Sequence, residues 1–416
     1  MVTHKGVGLV CEALSGFDSS QKGISAIGHV LYTSDKHDEE KSVQPITVQI
    51  DGSPLSIALN GKISNAKYLR KVLTQQGFCF KTYSDSEIIL GLICNAKAAV
   101  LENKIVSALR QVKGAYSIIF QSDYKLIAIR DPNGCRPLCF GCLNGRNYVF
   151  ASESCALNEI GAKLVRDLLP GEMVVFDVNG EHSYQSFYCD KSTFCIFEYI
   201  YFSCPGSVID GMDVGLARRE MGKALAREVA FDADVVVAVP DSGIPAAIGY
   251  STQSGIPLVQ GIVKNSQTGR SFTLPKQQLR NQMVRRKLNV IEEIVCDKNV
   301  LLVDDSIVRG STMRNLIPMV RCCGAKKVFV CSASPPIVNP CCYDIDISTR
   351  QELIAPDLAV EEIADYIGCD GLHFLSMGGL LSAIKDTDCT HICKECLGQA
   401  NCEMPLAGVG LTTADC

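Results

Sequence analysis

Up to about residue 185, apolar and polar positions alternate in short runs separated by glycines and turn residues. Such alternation runs through SPLSIALNG (53–61), AYSIIFQS (115–122), YKLIAIRD (124–131) and RNYVFASES (146–154). A period of two puts one set of side chains on each face of a strand, so these runs predict antiparallel or mixed sheet. Helical spacing is confined here to stretches near 64–76 and 85–111. From about 210 the rhythm changes. GLARREMGKALAREV is amphipathic with helical period, the apolar run DVVVAVP comes next, then the turn DSG and the helix-like IPAAIGYSTQSG. Helix, strand and turn in that order predict the βα units of a parallel sheet. The pattern therefore divides the chain into 1–185, 186–385 with a linking stretch at 186–209, and a Cys- and Gly-rich tail of little periodicity at 386–416. The class is α/β combined with α+β.

Composition narrows the function more than the fold. The 416 residues are 47% hydrophobic and 20% charged, as in ordinary two-domain globular chains, and the formal net charge is −5. A mildly acidic chain argues against nucleic acid as partner. Apolar runs such as VVVAV at 235–239 are too short to span a bilayer, and the opening MVTHKGVGLVCEAL has the form of neither a secretory signal nor a transit peptide. The 22 cysteines, in such a chain, read as reduced thiols and metal ligands in a reducing compartment rather than a disulfide framework.

The chemistry concentrates at VLLVDDSIVRGST, residues 300–312. Val300 to Val303 form a short buried strand that runs into Asp304 and Asp305. A small polar turn comes after them (Ser306, Ile307, Val308, Arg309, Gly310, Ser311, Thr312), then a helix. Ligands of open α/β sheets bind beyond the carboxyl ends of strands. A turn rich in N–H groups and hydroxyls, next to a helix N-terminus, suits a phosphate. Carboxylates beside a phosphate cradle make sense for a sugar phosphate, whose hydroxyls or Mg²⁺ they hold. A second turn, VPDSG, places Asp241, Ser242 and Gly243 at another strand end. It is read as a diphosphate loop, with Ser242 joining Asp304 and Asp305 as an oxygen ligand of Mg²⁺. The basic segment 264–289 reads as a cationic flap, with Arg270, Arg280, Arg286 and Lys287 offsetting leaving-group charge.

The string at 300–312 resembles the PRPP (5-phosphoribosyl 1-diphosphate) signature of type I phosphoribosyltransferases. Taken with CIFEYIYF (195–202), SPPIVNPCCYDID (334–346), SDSE (84–87) and DPNGCRPL (131–138), it is similar to the glutamine phosphoribosylpyrophosphate amidotransferase family over roughly residues 5–398. The resemblance implies an N-terminal-nucleophile (αββα) glutaminase-like domain followed by a type I phosphoribosyltransferase domain. Its activity is the conversion of PRPP and glutamine or ammonia to 5-phosphoribosylamine and diphosphate, the first committed step of purine synthesis. It also implies a homotetramer, feedback by purine nucleotides, a cytoplasmic (or plastid) location, catalytic roles for Arg270, Lys287, Asp304 and Asp305, and a [4Fe–4S] cluster on Cys195, Cys341, Cys393 and Cys396. A local zinc set of Cys389, Cys393, Cys396 and Cys402 competes with that cluster.

Two departures bear on function. In the transferase half the family's KNRYVGRTF reads KNSQTGRSF, so Ser266 and Gln267 stand beside the flap in place of Arg and Tyr. In the glutaminase half the family's GHVRYST reads GHVLYTS and its HNG reads LNG. Leu31 thus replaces the arginine expected to bind the glutamine α-carboxylate, and Leu59 a histidine. Asn60, Gly61 and Asp85 persist as remnants of a glutamine site. The match begins at HKGVGLV, inside the family's domain and past its nucleophilic cysteine. Cys11 is expected to be a packed structural thiol rather than that nucleophile. The expectation is a transferase that uses ammonia only. The rival is an inactive paralogue that binds PRPP or nucleotides and regulates a complete enzyme; a nucleobase phosphoribosyltransferase is disfavoured by the glutaminase-like half.

Overall fold

The computed structural model describes residues 1–18, 20, 22–31, 42–187, 193–264, 288–341, 343, 349–384 and 392–399. Its backbone contacts separate one compact unit, Met1–Phe194, from a second built from Cys195–Cys341 and Ile345–Cys402.

The alternating runs of the first unit form a six-stranded antiparallel sheet. Its order is Ile46–Ile50, Ser53–Ile63, Gly114–Gln121, Leu126–Arg130, Glu172–Asp177, Gly180–Gln185. Period two decides which residue goes where. Ile118, Phe120, Ile127, Ile129, Met173 and Val175 enter a core shared with Leu69, Leu73, Ile88, Ile89, Ile105 and Leu109 of the helices Ala66–Gln75, Asp85–Asn95 and Leu101–Leu109. Ala128 and Val174 point the other way, onto Leu138, Phe140 and Leu168. There a smaller antiparallel sheet (Asn147–Ala151, Cys139–Leu143, Lys163–Asp167) covers the large one. The short helix Ser154–Glu159 closes the outer face through Leu157. The layers are α, β, β, α. The helical stretch expected over 85–111 is two helices, because Ala96 is extended at φ −71°, ψ 131°.

The second unit carries the parallel sheet, ordered Leu258–Val259, Val235–Ala238, Asn299–Asp304, Lys327–Ser332, Gly371–Phe374. Buried on both faces, its central strands are continuous apolar runs. Helices Ser311–Cys322 and Val360–Ile367 supply Leu316, Ile317, Val320, Ile363 and Ile367 to one core. Helices Val214–Glu228 and Ile244–Ser254 meet through glycine: a Cβ on Gly222 would lie 1.9 Å from the Ala246 carbonyl oxygen, and one on Gly249 1.9 Å from that of Arg219. The linking stretch is more than a connector. Its π-helical turn Glu198–Phe202 buries Glu198, Tyr199 and Ile200, and Arg218 donates to the carbonyls of Tyr199 (2.8 Å) and Ser203 (2.7 Å).

Candidate functional site: a paired-carboxylate turn

Asp304 ends the central strand of the parallel sheet, and Asp305 begins the turn. Both are buried, at 7% and 6% exposure. Asp304 accepts the Asp305 backbone N–H at 3.0 Å, and Asp305 accepts the Ser306 hydroxyl at 2.7 Å. Among the described residues no cation pairs with either. Burial, and then the neighbouring Asp305 charge, pushes the Asp304 carboxyl well above the usual carboxylate range. Two adjacent buried carboxyls with few donors of their own among the described residues offer hard oxygen atoms, a donor type that fits Mg²⁺.

The two turns expected to share a ligand lie against each other. Val239 N–H donates to the Val303 carbonyl at 2.9 Å. Gly243 packs so closely that a Cβ there would stand 2.5 Å from the Val303 oxygen and 3.1 Å from the Asp304 Cα. Asp241 and Ser242 lie between these two contact points in the chain. Asp241 is exposed and ion-paired to Lys264 at 2.5 Å, a contact the sequence reading did not include. After Asp305, Ile307 turns inward (3% exposed), and Gly310 adopts φ +68° to cap the helix Ser311–Cys322. Ser311 and Thr312 are exposed at that helix's N-terminus. Arg309 is ion-paired to Glu352, 43 residues away, which no local pattern announces. Arg270, Arg280, Arg286 and Lys287 lie outside the described residues, as do Ser266 and Gln267.

In the first unit, residues that the sequence singled out do converge, through a residue it overlooked. Buried Gln44 accepts the Leu59 N–H (2.7 Å), donates to the Leu59 carbonyl (3.0 Å), and accepts the Ser86 hydroxyl (2.8 Å). His29 Nε2 stands 3.5 Å from the Gln44 amide nitrogen. Burial holds the His29 ring below the usual imidazole range. Asp85 accepts the Ile63 N–H at 2.8 Å, on the strand that carries Asn60 and Gly61. Gly61 has φ +136°, and a Cβ would meet the Ala115 oxygen at 2.1 Å. Leu59 is a core residue at 4% exposure, whereas Leu31 is 45% exposed. Cys11 is exposed, correcting the expectation of a packed thiol: its helix Val10–Ala13 buries no residue.

The cysteine segments also approach one another. The strand Phe194–Cys195 pairs with Ile392–Cys393. The N–H groups of Val338 and Asn339, just before Cys341, donate to the Cys396 carbonyl at 2.8 and 3.2 Å. Burial, then the nearby Cys195 and Cys341, pushes the Cys396 thiol well up. Even so, among the described residues no group of three or more His, Cys, Asp or Glu side chains is gathered for a metal ion. Cys389 and Cys402 of the zinc alternative lie outside the described residues.

Known proteins agree with this architecture. Residues 32–159 match the glutamine amidotransferase domain family, and residues 216–334 the phosphoribosyl transferase domain family. The amidophosphoribosyltransferase of Bacillus subtilis is 44% identical over 400 residues, covering 95% of this chain and 84% of the relative. That of Archaeoglobus fulgidus is 42% identical over 387 residues, covering 92% and 84%. The structure of the B. subtilis glutamine PRPP amidotransferase complexed with ADP and GMP superimposes with a TM-score of 0.83 at 43% identity, over 89% of this chain and 81% of that one. Identity at this level over nearly the whole chain, with both domain families in order, establishes that the chain belongs to the amidophosphoribosyltransferases, the glycosyltransferases of purine biosynthesis.

Proposed function

We propose that this amidophosphoribosyltransferase makes 5-phosphoribosylamine at the Asp304–Asp305 turn and takes its nitrogen as free ammonia. The observation that carries the transferase reading is the pair of adjacent buried carboxylates at the strand end, which no cation pairs among the described residues. Backbone N–H groups and hydroxyls of Ser306 to Thr312 hold the 5′-phosphate at the start of the helix Ser311–Cys322. Asp304, Asp305 and Ser242 hold Mg²⁺ and the ribose hydroxyls. When bound, Mg²⁺ supplies positive charge against the diphosphate oxygens. The turn Asp241–Ser242–Gly243 receives the diphosphate, and Arg270 and Lys287 of the basic segment offset its charge. The C1–O bond to diphosphate breaks with oxocarbenium character. Ammonia forms the C1–N bond from the opposite face and then loses a proton to solvent. No covalent enzyme intermediate is required; positioning and charge do the work.

The ammonia-only reading rests on Leu31. A leucine offers no donors to an α-carboxylate, where an arginine offers a bidentate fork. Asn60, Gly61 and Asp85 remain as an incomplete glutamine pocket. The test compares diphosphate release from PRPP with ammonium chloride and with glutamine, using anaerobically purified protein. Release with ammonia alone is expected. Equal release with both refutes the ammonia-only reading. Silence with both, in protein that still binds PRPP, favours a regulatory paralogue.

A [4Fe–4S] cluster on Cys195, Cys341, Cys393 and Cys396 is the cofactor this reading favours. Its support is the approach of Cys195 and Cys341 to the Cys396 thiol and the strand pairing that brings Cys393 beside Cys195. When bound, the cluster supplies cross-linking rather than chemistry at the ribose. Stoichiometric iron and sulfide in the purified protein are expected; zinc instead would favour the local set. Purine nucleotides as feedback ligands, a homotetramer, and a cytoplasmic or plastid location complete the reading. The nucleotides are suggested by the ADP and GMP of the B. subtilis structure, and the plastid alternative by a chloroplastic relative in Arabidopsis thaliana. No helix among the described residues is long and apolar enough to cross a membrane.

A further inference from the structure

One contiguous stretch, residues 352–367, touches the phosphate turn and the helix it opens, from outside the sheet. Glu352 pairs with Arg309 in the middle of the turn. The Ile354 N–H donates to the Val308 carbonyl at 3.0 Å. Gly310 is seated against the same stretch: a Cβ there would lie 3.0 Å from Ile354 Cδ1, 3.3 Å from Ile367 Cγ2 and 3.6 Å from Tyr366 Cε1. One helical turn on, Arg314 donates to the Tyr366 hydroxyl at 3.1 Å and lies 4.8 Å from the centre of its ring. Val308, Arg309 and Gly310 are thus each fixed by a different kind of contact from one neighbour.

These contacts have different jobs. The backbone bond sets the height of the turn, and the Gly310 seat sets how near it stands to the helix Val360–Ile367. Neither fixes Arg309, whose side chain is 49% exposed and is held by Glu352 at 35% exposure. A pair this exposed adds little to global stability. Its effect is geometric, since N–H groups bind phosphate only where all of them converge on it. We propose that Glu352 is a positioning residue for the reaction: through Arg309 it holds the phosphate turn in its binding shape. This rests on reading 307–312 as the site of the 5′-phosphate. A rival role gives the opposite sign. If Glu352 instead sequestered a guanidinium meant for the phosphate, removing it would improve PRPP binding.

The experiment measures the KM for PRPP and kcat with ammonium chloride for Glu352→Gln, Glu352→Asp and Thr312→Val, together with melting temperatures. For Glu352→Gln the KM is expected to rise about threefold to tenfold, with kcat within about twofold and an unchanged melting temperature. Glu352→Asp, which keeps the charge, is expected to recover most of the loss. Thr312→Val, within the turn, raises KM independently of the brace. A lower KM in Glu352→Gln overturns the proposal in favour of sequestration. An unchanged KM there, with a raised KM in Thr312→Val, overturns the brace alone. Unchanged values in both remove the phosphate-turn reading, and the proposal with it.

Discussion

Two buried aspartates, Asp131 in the first unit and Asp304 in the second, look alike by burial and differ in everything around it. Burial raises both carboxyls above the ordinary range. Asp131 is met by donors: the N–H groups of Tyr116 (3.3 Å), Asn133 (2.9 Å), Cys135 (2.9 Å) and Arg136 (3.3 Å), with the Arg130 charge adjacent. Asp304 has one backbone N–H and a second carboxylate beside it. The first is a knot that ties DPNGCRPL into a compact turn. The second, on the proposed reading, is a site that takes its compensation from a ligand. The number and kind of partners, not burial, separate structural from functional carboxylates.

The same chemical change should therefore break the two differently. Asp304→Asn or Asp305→Asn is expected to cut PRPP turnover with ammonia by about two to three orders of magnitude, because the hydroxyl and cation contacts are lost together. Near-normal turnover in either variant would remove the site assignment. Asp131→Asn is expected to leave the catalytic turn intact but to destabilise the first unit by about 2–4 kcal/mol, since one amide oxygen cannot satisfy donors arranged around two. Denaturant titration of both variants makes the contrast quantitative. Asp304→Asn should be at least as stable as the parent in the absence of Mg²⁺ and PRPP, because it relieves a buried like-charge pair.

A smaller effect probes how closely the turns must fit. Gly243→Ala is expected to raise the KM for PRPP by about tenfold and to cost about 1–3 kcal/mol. Its methyl group would have to displace the Val303 carbonyl, 2.5 Å from where that methyl stands. A kinetically silent Gly243→Ala would show that the second turn is not part of the site.

The two units also differ in how much of them the sequence makes legible. In the parallel sheet each site element is a short continuous string, so VLLVDD and VPDSG announce both the strand and the turn at its end. The first unit's layering is readable in the same way, from alternation alone. Its site is not: Gln44 joins Leu59 to Ser86 from outside every recognised string, because a side-chain amide bridging distant segments leaves no periodic mark. The break between Asn95 and Leu101 has neither Gly nor Pro to signal it. The Glu352 brace is equally invisible, being a contact across 43 residues between elements that are each ordinary by themselves.

The mildest prediction takes the first unit's satisfied charges into acid. Glu172 is 3% exposed, and burial alone would raise its carboxyl. Arg166 binds both oxygens at 2.7 and 2.6 Å, the Ser183 hydroxyl donates at 2.6 Å and the Leu169 N–H at 2.7 Å. Together these donors win, and the group titrates below the ordinary glutamate value. A carboxyl lowered on folding stabilises the native state above its unfolded pKa, and that contribution is lost as pH falls through the folded one. Glu172→Gln should therefore cost about 1–2 kcal/mol near neutrality, kept small because Arg166 is 37% exposed and screened by solvent. The gap to the parent should close as the pH is lowered through the carboxylate range. Denaturant midpoints measured from pH 7 down to about 3.5 would show the two curves converging. Parallel curves would mean that Arg166 holds the carbonyl of Asp167, 3.1 Å away, rather than the charge of Glu172.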